Sequence, residues 1–207
     1  MIRHPSVPSL ITTLVSVFAI VALAACGGDP PRELAGFVRE PAPVVDEVAL
    51  PDLSRGGAEF AMRADPGELL VVYFGFTNCP DICPTTLADL RAALRQVDDA
   101  EGARVSFAMV TVDPDRDAPV LVDYAQTFVD DAHALATDDP AVLRSAADPF
   151  GVSYVVETDA DGRIEVGHTS QMFVVDDTGQ LVLTWQYGIP AAEIAADLQQ
   201  LLAERSA

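Results

Sequence analysis

The longest apolar run outside the N-terminal region extends from Leu69 to Phe76. A continuous run of this kind predicts a strand that is buried on both faces. Apolar residues then recur at helical spacing from Leu87 to Val97, which predicts a helix with one apolar stripe. The segment from Arg104 to Val112 is again rich in apolar residues and predicts a second buried strand.

Two further helices are predicted in the middle of the chain. The first covers residues 119–129, and Asp117 is placed to cap its N-terminus. The second covers residues 140–147, is entered through Thr137 to Asp139, and ends near Pro149.

The last third of the chain predicts two β-hairpins and a closing helix. Residues 152–156 and 163–166 flank one turn, and residues 171–175 and 181–186 flank another. The helix covers residues 191–203. Strand, helix, strand, helix, hairpins and helix describe an α/β domain with a mixed sheet flanked by helices. This is the order of a thioredoxin-like fold with N-terminal and internal extensions.

The N-terminus has the pattern of a targeting segment. Residues 1–25 contain one positive side chain, Arg3, followed by an apolar stretch and small residues, as in a secretory signal. The sequence from Leu23 to Cys26 resembles a bacterial lipobox, in which the cysteine is lipidated and becomes the mature N-terminus. We therefore expect a lipoprotein signal peptide at 1–25, a lipidated Cys26 that begins a flexible Pro-rich tether at 26–45, and the folded domain at 46–207. The body of the protein would be lipid-anchored to the cell membrane on its extracytoplasmic side.

Charge narrows the classes of partner. The 207-residue chain has 12 basic and 32 acidic residues, a formal net charge of −20, and no lysine. Such an acidic surface argues against nucleic acid, whose phosphates require a basic surface. It favours solubility, attraction of cations and encounters with basic partners.

Two cysteines, Cys79 and Cys83, are the candidate functional residues. Cys79 and Cys83 lie where the buried strand ends and the striped helix begins, a position at which an α/β sheet gathers its sites. The partial positive charge of a helix N-terminus favours thiolate over thiol there. Three interpretations remain open: a structural disulfide, which would close a very short loop; a redox dithiol, although thioredoxins have two intervening residues instead of three; and a soft-metal site.

A metal site needs a third ligand, and His168 is the candidate. It immediately precedes the predicted strand 171–175, in the loop that carries a cis-proline in thioredoxin-like folds, and this chain has no proline between Pro149 and Pro190. Of the other two histidines, one lies in the signal, and His133 has the sequence context of an ordinary surface residue.

Three segments together resemble the Sco (SenC) family, the copper-binding assembly factors of cytochrome c oxidase. They are Tyr73 to Leu87 around the cysteines, Val110 to Asp117 with its Asp-Pro-x-Arg-Asp motif, and Gly167 to Thr169 followed by Phe173 to Asp176. The resemblance implies that Cys79, Cys83 and His168 hold copper, as Cu(I) or Cu(II). Gly167 departs from the family, because many members have an acidic residue before the histidine.

The resemblance implies a copper chaperone that delivers the metal to the dinuclear copper centre in the copper-bearing subunit of the oxidase. This role would make the chain a carrier instead of an enzyme. The alternative is a thiol-disulfide reductase, with Cys79 and Cys83 as its redox-active pair, that keeps the oxidase cysteines reduced. A thiol peroxidase is disfavoured because Phe76 and Val72 occupy the positions of its threonine and proline. The cysteine pair disfavours a solute-binding lipoprotein.

Overall fold

A computed structural model describes residues 32–205 of the chain. The predicted signal peptide and the predicted lipidation of Cys26 lie outside these residues. The strands are β1 Ala49–Asp52, β2 Ala58–Ala61, β3 Leu69–Gly75, β4 Val105–Thr111, β5 His133–Leu135, β6 Tyr154–Thr158, β7 Ile164–His168, β8 Met172–Val175 and β9 Leu181–Trp185. The helices are α1 Ile82–Leu94, α2 Asp99–Gly102, α3 Pro114–Asp117, α4 Leu121–Phe128, α5 Pro140–Ala147 and α6 Ala191–Glu204. Two 3₁₀ turns cover Leu53–Arg55 and Asp148–Phe150.

Within the described residues, seven strands form one mixed sheet in the order β2-β1-β5-β4-β3-β8-β9. Strands β3, β4 and β5 run parallel, whereas β8 lies antiparallel to β3 and β9 antiparallel to β8. All seven residues of β3 are buried, as the continuous apolar run predicts. The predicted α/β class, with a thioredoxin-like mixed sheet flanked by helices, is confirmed.

The carboxyl ends of β3, β4 and β5 meet at one edge of the sheet because the three strands are parallel. In open α/β sheets this edge is where binding sites form. The loop after β3 carries both cysteines of the candidate site, and α1 begins directly after that loop.

The two predicted hairpins belong to different sheets. Strands β8 and β9 join the main sheet, whereas β6 and β7 pair only with each other and form a separate two-stranded sheet. Tyr154 lies opposite His168 in this hairpin, so the predicted third ligand is the last residue of β7.

The helix predicted over 119–129 is found as α4, two residues shorter at its start and one at its end, and a separate short helix precedes it. Helix α3 ends at Asp117, and α4 begins at Leu121 after a short connection. The prediction that Asp117 caps this helix is wrong, since Val120 occupies the N-cap position and makes no side-chain cap hydrogen bond. The carboxylate of Asp117 is instead fully buried and accepts hydrogen bonds from Thr77 and Thr111.

Residues 35–45, which the sequence assigned to the tether, lie against β9. Phe37 and Thr184 exchange backbone hydrogen bonds of 2.8 and 2.9 Å, and Val45 donates to the Gly179 carbonyl at 2.9 Å. Gly36 lies so close to Leu183 that a Cβ would come within 2.6 Å of that side chain. The proline content of this segment is therefore compatible with packing along a sheet edge, where a missing N–H is tolerated.

None of the helices in residues 32–205 is both long and apolar enough to cross a membrane.

Candidate metal centre

The two cysteines lie on either side of the start of α1. Cys79 is in the loop that follows β3, and Cys83 is the second residue of α1. The backbone N–H of Cys83 donates to the Cys79 sulfur at 3.3 Å, so this sulfur accepts a bond that a capping side chain usually accepts. Pro84 fits here because the first turn of a helix needs no donor from its N–H. Both sulfurs are free thiols.

Gly75, the last residue of β3, leaves room for this arrangement. A Cβ at this position would lie 2.6 Å from a ring carbon of Tyr73 and 3.3 Å from the Cys83 sulfur. Sequence reasoning treated Gly75 as part of an apolar strand. A glycine inside a continuous apolar run is the signal that could have identified a close approach.

The hairpin β6–β7 brings His168 to the cysteines. Its Nε2 is 3.3 Å from the Cys83 sulfur. Its Nδ1 donates to the carbonyl oxygen of Thr169 at 2.8 Å, which leaves the lone pair on Nε2 free to face the thiols. A hydrogen bond from the opposite ring nitrogen commonly fixes a metal-binding histidine in the same way.

Among residues 32–205, Cys79, Cys83 and His168 form a group whose ligand atoms all lie within 4.8 Å of one another. Two sulfurs and one imidazole nitrogen form a soft donor set that suits copper or zinc. In the metal-free chain the Cys83 thiol donates to Nε2, so a proton lies where a metal would bind. Metal binding must therefore release that proton.

The imidazole is held in an aromatic environment. The rings of Tyr73 and Phe76 meet the His168 ring edge to face, with centroids 5.9 and 5.6 Å away. Burial among these rings lowers the pKa of His168 below its usual value of 6.5. The histidine is therefore neutral, and able to bind a metal, at pH 7.

The two cysteines differ in their environment. Cys83 is fully buried, and burial raises the pKa of its thiol to about 12. Nearby Tyr73 is also buried, and burial together with the Cys83 sulfur raises the pKa of its phenol. Cys79 is half-buried. Burial of Cys83 acts on its pKa in the direction opposite to that expected from a helix N-terminus.

The carboxylate of Asp117 holds the cysteine loop in place through hydrogen bonds. Its carboxylate accepts from the backbone N–H of Thr77 at 2.9 Å and from the hydroxyls of Thr77 and Thr111 at 2.5 Å each. Thr77 lies two residues before Cys79, so the buried carboxylate ties that loop to the end of β4. In the same motif the carboxylate of Asp113 forms an ion pair with Arg116.

His133 is not an ordinary surface residue. Its Nδ1 lies 2.7 Å from Oδ2 of the buried Asp52, and its ring stacks on Phe60 at a centroid distance of 4.0 Å. It joins β5 to the β1–β2 edge of the sheet, which lies away from the cysteine loop in strand order. Asp81, between the cysteines, is exposed.

Fold and site together define a thioredoxin-like domain with a Cys-Cys-His cluster at the carboxyl edge of its sheet. The family model described as SCO1/SenC matches residues 53–203. The chain belongs to the SCO1/SenC family.

Solved structures and curated relatives agree with this assignment. The apo Sco1 protein of Thermus thermophilus is 33% identical, with a TM-score of 0.70 over 84% of this chain and 99% of that one. The copper-bound ScoI of Bradyrhizobium japonicum is 26% identical, with a TM-score of 0.63 over 74% of this chain and 96% of that one. An SCO2-like protein of Rickettsia typhi is 30% identical over 145 residues, which are 69% of this chain and 70% of that protein. The chain spans one third, 33%, of the length of the mitochondrial SCO1 homolog 1 of Arabidopsis thaliana.

Proposed function

We propose that this chain is a membrane-tethered, extracytoplasmic copper chaperone that delivers copper to the dinuclear copper centre of cytochrome c oxidase. The observation that carries the proposal is the cluster of Cys79, Cys83 and His168, with ligand atoms within 4.8 Å of one another. Copper is the cargo in this proposal, held by two thiolates and one imidazole.

Relatives support both the metal and the destination. A Sco protein that is 26% identical has been solved with copper bound. A structure that shares the fold at 20% identity is described as a member of the Sco family of cytochrome c oxidase assembly proteins. The basis for extending copper and oxidase assembly to this chain is its membership of the family.

The donor set suits transfer as well as binding. Cu(I) accepts two thiolates in a low-coordinate site, and Cu(II) accepts additional nitrogen or oxygen ligands such as the imidazole of His168. A site with three protein ligands leaves room for an incoming ligand to bind copper before a resident one departs. Cys79, which is half-buried, is the thiol that a receiving protein reaches first.

The location rests on the N-terminal sequence. The lipobox that ends at Cys26 supports a lipid anchor on the extracytoplasmic side of the membrane. Acyl chains contribute about 0.8 kcal/mol per buried CH₂, so two or more chains anchor a protein stably.

The test uses the reduced soluble form that starts after Cys26, compared with His168→Ala. We expect one copper per wild-type chain, together with a thiolate-to-Cu(II) absorption band. His168→Ala should weaken binding by about 100-fold and shift that band, since one of three ligands is lost. His133→Ala is the matched control, because it removes an imidazole outside the cluster, and it should retain full stoichiometry. Wild-type protein that binds no copper would overturn the proposal.

A thiol-disulfide reductase is the second candidate, favoured by the free thiols of Cys79 and Cys83 and the 3.3 Å contact between the Cys83 N–H and the Cys79 sulfur. This reductase would keep the oxidase cysteines reduced. Its activity requires both sulfurs but not the imidazole. Disulfide reduction that survives in His168→Ala, without copper binding by the wild type, would support the reductase instead.

A further inference from the structure

A groove of about 690 Å³ runs along the same sheet edge as the metal centre. One wall is β6, with Tyr154, Val155 and Val156. Consecutive residues of a strand point to opposite faces, so a groove that touches three in a row follows the edge of the strand. Within the described residues β6 pairs only with β7, and no strand pairs with the edge that borders the groove, where the Arg144 side chain donates to the Tyr154 carbonyl.

The opposite wall is formed where β4 and β5 end. It includes Asp113 to Asp115 after β4, Thr137 and Asp138 after β5, and the first residues of α5. These strands are parallel to β3, whose own carboxyl end leads to the cysteine loop. A second hollow, of about 320 Å³, shares Tyr154 and Val155 with the groove and reaches His168. The two hollows therefore border the same two residues of β6, and the smaller one also borders the metal ligand.

The apolar part of the groove is uncovered. Val155 and Val156 are 48% and 42% exposed, although valine in a strand is usually packed. An open strand edge with exposed β-branched side chains is the surface to which an extended segment of another protein adds.

The charged residues of the groove indicate the charge of the segment that it can bind. Asp115 and Asp138 are exposed, and neither takes part in an ion pair within residues 32–205. Arg144 is the cation of this wall, but its guanidinium lies 3.9 Å over the Tyr154 ring and donates to the Tyr154 carbonyl. The net charge of −20 repels a second copy of this chain and attracts a basic partner.

We propose that this groove binds an extended segment of the copper-receiving protein, one that carries basic and apolar side chains. The segment lies along β6, its apolar side chains contact Val155 and Val156, and its basic side chains face Asp115 and Asp138. Docking there places the receiving protein next to His168. The inference rests on the proposed function for the identity of the partner, whereas binding in the groove does not require copper.

The experiment mixes the full chain in detergent with the soluble, copper-free copper-binding domain of the oxidase subunit. Amide hydrogen exchange should slow in residues 154–158 of the full chain when the domain is added. Asp138→Arg and Val156→Asp should each weaken binding by about tenfold while leaving copper stoichiometry unchanged, because neither side chain is a ligand. Affinity should also fall as NaCl is raised, since exposed charges contribute to it.

The controls match in residue type and exposure. Val38→Asp changes a valine that is 44% exposed near β9, and Asp65→Arg reverses an exposed charge before β3, at the far end of the sheet. Both should bind the domain within about twofold of wild type. Unchanged exchange in residues 154–158, equal losses in the controls, or no binding by wild type overturns the docking inference. Copper transfer from the loaded wild-type chain, measured in parallel, tests the proposed function separately and can succeed while the groove fails.

Discussion

At the scale of single residues, the two cysteines have different chemistry despite their proximity. Cys83 is fully buried and its pKa is raised to about 12, so it is a thiol at neutral pH. Cys79 is half-buried, so reagents can reach its sulfur more readily than that of Cys83. Cys79 is therefore the reactive member of the pair in the metal-free chain.

Alkylation of the reduced, metal-free protein tests this difference. Iodoacetamide at pH 7 should modify Cys79 at least about 100-fold faster than Cys83, because the thiolate is the nucleophile and Cys83 is both protonated and buried. Between pH 7 and pH 9 the rate at Cys83 should rise about tenfold per pH unit, since this range lies below its pKa. Mass spectrometry of quenched samples identifies the modified residue. Faster modification of Cys83, or a rate there that ignores pH, would contradict the assignment.

Asp117→Asn should weaken copper binding although Asp117 is not a ligand. The amide cannot accept all three hydrogen bonds from Thr77 and Thr111, and an unsatisfied buried donor costs about 1–3 kcal/mol. The loop before Cys79 should loosen, which lowers copper affinity and shifts the thiolate-to-copper band. Competition titration and absorption spectroscopy measure these effects.

Asp113→Asn is the control for this substitution, because it alters the same motif and the Arg116 ion pair without touching Thr77. It should leave the copper band in place. A destabilised Asp117→Asn protein with wild-type copper affinity and spectrum would show that Asp117 supports the fold alone.

The sequence identified the residues of the cluster but not their support. Cys79, Cys83 and His168 were predicted from spacing, a missing proline and a family resemblance, and the structure brings them together. Asp117 was misassigned because an aspartate before a helix reads as a cap, and no local pattern distinguishes a cap from an acceptor for a loop distant in sequence. Burial of this kind is decided by tertiary contacts.

At the scale of elements, α5 shows a cap that sequence can predict. Oδ1 of Asp139 accepts from the backbone N–H groups of Ala141 and Val142 at 2.8 and 3.2 Å. Asp139→Ala should lower the free energy of unfolding by about 1 kcal/mol. The neighbouring Asp138→Ala should change it by less than about 0.5 kcal/mol, because that exposed carboxylate makes no cap bond. Urea unfolding measures both, and equal losses would refute the assignment of the cap.

Most elements were predictable because their apolar patterns are long or bounded by clear turns. Strand β3 and helix α5 follow their predicted limits within one residue. The separation of β6 and β7 from the main sheet was not predictable, since pairing partners depend on which edges other strands have already occupied. That separation is what carries His168 over the cysteine loop.

At the scale of the whole molecule, one buried carboxylate joins the two ends of the described chain. Asp197 in α6 accepts from the backbone N–H groups of Ala35 and Gly36, both at 3.0 Å, and from the Trp185 indole at 2.9 Å. The early segment, strand β9 and the last helix therefore share one acceptor. Proline content suggested a tether here because composition does not reveal distant partners.

Asp197→Ala should lower the free energy of unfolding by about 1–3 kcal/mol, since it leaves the buried Trp185 indole N–H without its acceptor and removes two backbone hydrogen bonds. The same substitution in a chain that starts at Asp46 should cost clearly less, because the donors of Ala35 and Gly36 are then absent. Urea unfolding of the four proteins forms a double-mutant cycle. Strictly additive losses would show that the early segment does not depend on Asp197.

The hydrogen bond that holds Ala35 also limits how far from the membrane the metal centre can lie. If Cys26 carries the proposed lipid, nine residues of chain separate it from Ala35, whose backbone N–H is bound by Asp197, instead of the twenty expected for a tether that ends near residue 46. An extended chain spans at most about 3.3–3.6 Å per residue. The maximum distance from Cys26 to Ala35 is therefore about 30 Å, compared with about 70 Å from Cys26 to residue 46. The domain would then stay within a thin layer next to the bilayer. It could deliver copper only to proteins whose copper sites lie within that layer.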